Sequence, residues 1–276
     1  MSKLSKIRPA RATKTTSEIK PAKDQVVINQ SEVPNRPESG RPLFLRSPEA
    51  FDREMRHFVP YQAEILESLL ESMLLMESDS SQVLDLGCRT GILSSRLIEE
   101  KPYVKLVAVD QEPGMILACR ERLGRSADWV DVELKNLANY SRPAAYDYIL
   151  SNLVLHFLPS AEDKQAVCRN AFWSLKPGGI FAFSVMLDLQ SSEAGNLPWR
   201  QWERDVMAMG AYRQDIQEWQ HSNLPAYFPV AQQAWLGWLG EAGFIHSELV
   251  WSETVFGTFW AKKPADRLSG GSFNPR

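Results

Sequence analysis

The apolar positions Phe58, Ile65, Leu66, Leu69, Leu70, Met73 and Leu74 recur at three- and four-residue steps. That is the stripe of an amphipathic helix, and Pro60 marks its expected start. After the turn cluster at Ser78–Ser81 the period shortens. Val83–Gly87 is an apolar run ending at glycine, and Ile92–Glu100 is again helical. The unit then repeats, with a strand at Val104–Asp110, a helix from Pro113 to Leu123, and β runs at Trp129–Leu134 and Tyr146–Leu150. A helix at Ala161–Leu175 is stopped by Lys176-Pro177-Gly178-Gly179, and Ile180–Val185 is a fifth strand. Alternation of this kind predicts a parallel sheet with helices on both faces. Farther on, Ala231–Gly243 reads as a helix closed by glycine. His246–Ser252 and Thr254–Ala261 are β runs separated only by Glu253, a link so short that the two must be antiparallel. Leu187–Val230 is too long for a structureless loop, so it is expected to form a helical cap after strand five, with a helix at Pro198–Met209.

A chain of 276 residues, 44% hydrophobic and 24% charged, is neither a fibre, nor a disulfide scaffold, nor wholly disordered. Its three cysteines, Cys88, Cys119 and Cys168, are odd in number and scattered, which fits a reducing compartment and predicts a cytoplasmic protein. The most apolar stretches, Leu69–Met76 and Tyr148–Leu158, are interrupted by polar residues well short of the roughly 18 that a membrane span needs. The net charge of −3 conceals an asymmetry: Met1–Arg46 carries ten Lys/Arg against four acids, a net +6, leaving −9 for the rest. Rich in proline and poor in large apolar residues, this segment is expected to be disordered. The expected organisation is therefore a basic arm over 1–50, a folded domain over 51–262 with its cap at 187–230, and a flexible tail over 263–276. A basic arm suits nucleic acid, but the acidic body repels phosphate backbones, so a small-molecule partner is expected. The oligomeric state, a homodimer included, is left open.

In an open parallel sheet, ligands sit beyond the carboxyl ends of the strands, which directs attention to Asp85–Gly91, Asp110, Asn136 and Asn152. A glycine turn leading into a helix offers N–H groups, and Gly87 and Gly91 would allow close approach. Asp110, at the end of the second strand, can accept hydrogen bonds from ribose hydroxyls. A dinucleotide fingerprint starting at Gly87 fails at Arg89 and Ile92. A P-loop fails because Ile92-Leu93 follows Gly91. No histidine pair has metal-ligand spacing, and no metal is expected.

The run Leu84-Asp85-Leu86-Gly87-Cys88-Arg89-Thr90-Gly91 resembles the first motif of class I S-adenosylmethionine (SAM) dependent methyltransferases. The likeness continues through Val109-Asp110, Asp147-Tyr148-Ile149-Leu150-Ser151-Asn152 and Leu175-Lys176-Pro177-Gly178-Gly179. It implies a Rossmann-like seven-stranded sheet with an antiparallel last strand and SAM as cofactor. Gly87 and Cys88 would hold the methionine portion through their backbone, beside Asp85 and Gly91 of the same motif, and Asp110 the ribose. Gln111 and Met115 would border the adenine, Asn136 and Leu137 its amino edge, and Asn152 would lie beneath the sulfonium. Arg89 replaces the usual middle glycine, where a left-handed backbone costs a non-glycine residue about 1–2 kcal/mol. Asn136 replaces a common aspartate. Ala242–Leu249, Phe256-Gly257, Ala261-Lys262 and Val59-Pro60-Tyr61 are similar to the carboxy-SAM synthases of the tRNA wobble-uridine pathway, which makes Tyr61 a cofactor contact. The arginine by which that family holds its extra carboxylate falls at His221. A neutral imidazole suits a carboxylate less well than a guanidinium, so SAM is the expected ligand. His156 and His221 are the candidate bases, and Trp199, Trp202, Tyr212 and Trp219 the candidate walls of an acceptor pocket.

Overall fold

In the computed structural model, residues 47–73, 81–128, 130–189 and 196–265 are described, so most of the predicted arm and tail lie outside the described residues. Two helices open the fold, α1 (Pro48–Phe58) and α2 (Gln62–Glu71). Ser47 caps α1 by accepting from the Ala50 N–H, with Pro48 in the first turn; both are standard helix-start chemistry. The helix expected from Pro60 is α2, and α1, across the break at Val59–Tyr61, is additional to it. α1 begins within the segment assigned to the arm.

The alternating segment follows as β1 (Gln82–Leu86), α3 (Ile92–Glu100), β2 (Lys105–Asp110), α4 (Pro113–Leu123), β3 (Asp131–Leu134), β4 (Tyr146–Asn152), α5 (Ala161–Ser174) and β5 (Leu175–Met186). The cap comprises α6 (Leu197–Ala208) and α7 (Arg213–Asn223), and α8 (Gln232–Ala242), β6 (His246–Glu253) and β7 (Phe256–Lys262) complete the chain. The seven strands lie in the order β3-β2-β1-β4-β5-β7-β6, and β7 runs antiparallel to both neighbours. The strand order reverses between β1 and β4, at the end where the glycine turn follows β1.

Strand residues alternate between two apolar cores, as a two-residue period requires. Leu106, Ala108, Tyr148, Leu150 and Ile180 face the core shared with α1–α4 and the cap, whereas Val107, Val109, Ile149, Phe181 and Phe183 face the core shared with α5 and α8. Trp235 of α8 is fully buried in the second core. Asp147 accepts from the Gln82 N–H and from Lys176 Nζ, tying β4 to its neighbours. Lys263, assigned to the tail, instead donates to the carbonyls of Phe172 and Leu175.

Candidate active site

The turn after β1 is shaped by its own packing. Gly87 and Gly91 have φ of +86° and +81°. A Cβ on Gly87 would lie 2.6 Å from a Val154 methyl, and one on Gly91 would lie 2.8 Å from Cys119 Sγ. Both glycines are therefore required by neighbouring chain rather than by the approach of a ligand. The N–H groups of Gly87 and Cys88 donate to the Val109 carbonyl at 2.7 and 2.9 Å, and that of Gly91 to the Cys88 carbonyl at 2.8 Å. The donors that the sequence offers to the methionine portion are thus spent inside the turn. Arg89 adopts the left-handed conformation, φ +52°. Its N–H donates to Asp110 Oδ2 at 2.9 Å, which offsets part of the strain.

Two compartments flank this turn and share Arg89. The tighter is lined by Phe51, Gln62, Asp85, Gly87, Cys88 and Asn152. Asp85 is fully buried; Ser94 Oγ donates to its Oδ2 at 2.6 Å, and its Oδ1 has no partner. Burial, aided by the charge of Asp110, pushes this carboxyl up to about 7. The wider compartment, about 260 Å³, is lined by Asp110, Gln111, Asn136, Leu137 and Phe157. Asp110 Oδ1 accepts from the Glu112 N–H at 2.9 Å, so both carboxylate oxygens are aimed by backbone donors while retaining lone pairs for hydroxyls. Asn136 is held by a bond from the Asn139 N–H to its Oδ1. Met115 is 2% exposed within the α1–α4 core and lines neither compartment.

A third, small chamber of about 20 Å³ is lined by Glu54, Met55, Phe58, Leu153, His156, Phe157 and Trp219. It adjoins the others where β4 ends: Asn152 lines the tight compartment and Leu153, with φ +52°, lines the chamber. Ser184 Oγ holds this strained turn, donating to Asn152 Oδ1 and accepting from the Leu153 N–H. Glu54, Phe58 and Trp219 also line an open groove of about 420 Å³ between α1 and α7, so the groove and the chamber share these walls.

The histidines do not have the geometry of a base. His156 is buried, and its Nδ1 accepts from the Met186 N–H at 3.2 Å, so the neutral ring carries its proton on Nε2 and has no lone pair to spare. Burial, then the charges of Arg89 and Lys164, push its pKa down to about 3. His221 is exposed on α7 and lines none of these cavities. Of the four aromatic candidates only Trp219 reaches the chamber. Trp202 is fully buried, donating from Nε1 to the Phe58 carbonyl at 3.0 Å. Trp199 packs edge-on against Trp202, and Tyr212, at the start of α7, is 78% exposed. The Tyr61 hydroxyl donates to Asp205 of α6, a clasp between α2 and the cap.

Sequence reasoning missed the contribution of α1. Asp52 accepts from Thr90 Oγ1 at 2.5 Å and pairs with Arg122, whose Nε donates to the Thr90 carbonyl at 2.7 Å; α1 is thereby fastened over the glycine turn. Ser47-Pro48-Glu49, a capping residue followed by proline and an acid, is the signal that would have found this helix. Phe157 and Leu153 carried no such signal, because only the crossing of β4 with the cap gives them a place.

In comparison with known proteins, residues 84–181 match a family model described as methyltransferase domain. Over 228 residues, 80% of this chain and 90% of its relative, the sequence is 25% identical to the carboxy-S-adenosyl-L-methionine synthase of Escherichia coli. It is 27% identical over 146 residues to the malonyl-[acyl-carrier protein] O-methyltransferase of Acetivibrio thermocellus, a match spanning 52% of this chain and half the length of that relative. Among solved structures, the N-methyltransferase NodS of Bradyrhizobium japonicum, in complex with S-adenosyl-L-homocysteine, superposes with a TM-score of 0.52 at 19% identity over 74% of this chain and 88% of the other.

Proposed function

We infer that this chain, a class I SAM-dependent methyltransferase by its domain and its sheet order, transfers a methyl group from SAM to a small molecule that enters by the groove between α1 and α7 and reaches the chamber behind it. The observation that carries this reading is the orphaned Oδ1 of Asp85. A buried carboxylate oxygen without a partner costs free energy unless a ligand supplies one, and the α-ammonium of the methionine portion is a fitting donor. Asp110, aimed by two backbone N–H groups, suits the ribose hydroxyls, while Gln111, Asn136 and Leu137 border the space for the adenine. Met115 acts only through packing in this arrangement.

When bound, SAM supplies a methyl group already activated by its positive sulfur. The work left to the protein is alignment and exclusion of water. Asn152 and Leu153, fixed by Ser184, set the boundary between cofactor and acceptor. Phe58, Phe157 and Trp219 make the acceptor side apolar, and Trp202 and Trp199 support them from behind. His156 holds β5 to this wall through the Met186 N–H.

A carboxy-SAM synthase reading is favoured by the span of that likeness. His221, standing where that family has its arginine, is exposed and does not line the site. Native mass spectrometry of the purified protein separates the two readings: SAM or its demethylated product supports methyl transfer, and a carboxylated SAM replaces it. Absence of any calorimetric signal on adding SAM to the purified chain would overturn both.

A further inference from the structure

Arg89 is 8% exposed, yet its guanidinium has no ion pair or hydrogen bond among the described residues, and its Nε is buried without an acceptor. Among the described residues it packs between the rings of Phe51 and Phe157, at 5.5 and 4.8 Å from the guanidinium carbon, and Glu112 feels its charge without forming an ion pair. Arg89 lines both cofactor compartments, and Phe157, against which it packs, is a wall of the wider compartment and of the chamber alike. Lys164, 1% exposed, adds a second buried cation; its Nζ donates to the Leu158 carbonyl, and Leu158 lines the wider compartment. A buried charge without a counter-ion is strongly unfavourable, and a ligand anion removes that penalty. His156 offers no base here, because its lone pair is committed to Met186; the carboxyls of Glu54 in the chamber wall and Asp85 in the tighter compartment remain as titratable groups.

We propose that the acceptor is a carboxylate, held by the Arg89 guanidinium in the wider compartment beside Phe157, the ring that this compartment shares with the chamber, and that the product is its methyl ester. This rests on the methyl-transfer reading above and narrows it to one class of acceptor. One carboxylate oxygen forms the bond to the methyl carbon, and the carbon–sulfur bond breaks with its electron pair returning to sulfur. No proton moves, so no base is required. A planar guanidinium suits a planar carboxylate and leaves one oxygen lone pair directed at the methyl group.

The test uses the full chain with SAM carrying a tritiated methyl group and two acceptor sources: a panel of small mono- and dicarboxylic acids, and a deproteinised cell extract. Expected is a product that releases tritiated methanol in mild alkali, with kcat at saturating SAM flat from about pH 6 to about pH 9, because the acceptor is already ionised there. Arg89→Gln should raise KM for the acceptor by about ten- to a hundredfold, with partial recovery in Arg89→Lys. An alkali-stable methylated product, or a kcat that climbs with pH, would overturn the carboxylate assignment and leave methyl transfer standing. An Arg89→Gln variant that loses SAM affinity while acceptor KM is unchanged would assign the guanidinium to the cofactor instead. No methyl transfer to either source, despite bound SAM, would overturn methyl transfer and this inference with it.

Discussion

Asp85 illustrates how burial sets a carboxyl against the stability of the fold that contains it. Its folded pKa of about 7 lies above the ordinary value of 3.8. The folded chain therefore binds its proton more tightly than the unfolded chain, and this group's contribution to stability falls as pH rises from about 4 to about 7, by up to about 4 kcal/mol. Replacing Asp85 by Asn should raise the stability of the ligand-free protein at pH 8 relative to wild type, with less than half of that gain at pH 5 and little below pH 4, as read by denaturant unfolding at each pH. The same variant should lose most of its SAM affinity. In the wild type that affinity should strengthen up to about pH 7 and then level, because only the ionised carboxylate pairs with an ammonium. Asp110 differs: it also anchors the Arg89 and Glu112 N–H groups. Asp110→Ala should therefore weaken SAM by about 1–3 kcal/mol and lower the melting temperature as well; calorimetry and thermal unfolding measured together check both.

At the scale of elements, the glycine turn, α1 and α4 act as one clamp. Asp52 joins Thr90 to Arg122 across the three. The Asp52–Arg122 pair is partly exposed, so its direct contribution to stability is small, within about 1 kcal/mol. Its larger effect should be on ligand retention: Asp52→Ala should quicken SAM release in stopped-flow measurements while changing the unfolding midpoint little. By contrast, Gly91→Ala strikes the clamp from inside. A methyl 2.8 Å from Cys119 Sγ, at φ +81°, combines overpacking with a left-handed backbone, and should destabilise by about 2–4 kcal/mol in denaturant unfolding.

For the whole molecule, the sheet supplies a rigid floor and the helices outside the strand–helix alternation supply the roof. α1 buries Phe51, Met55 and Phe58 in the same core as Trp202 and Trp219 of the cap, so roof and floor should unfold together. Removing residues 1–45 leaves Ser47 to cap α1 and should shift the melting temperature by less than about 2 °C, whereas removal through Val59 should cost about 10 °C or more and abolish SAM binding. No described helix is long and apolar enough to cross a membrane.

The alternating hydrophobic periods determined the sheet, its antiparallel hairpin and the helical cap, because period and chain order restrict how strands and helices can be layered. The spacing from Gly87 to Asp110 pointed to one edge of the sheet for the same local reason, since Gly87 follows β1 and Asp110 ends β2 at that edge. Which side chains line the cavities there was decided only by tertiary contact. Composition made Trp202 and Tyr212 equal candidates, yet one is sealed beneath Phe58 and the other faces solvent. His156 looked like a base until the Met186 N–H took its lone pair. Arg89 looked like a defect in a glycine motif until Phe51 and Phe157, from opposite ends of the site, enclosed its charge. Such roles depend on which groups converge from distant parts of the chain, and a linear pattern does not encode that convergence.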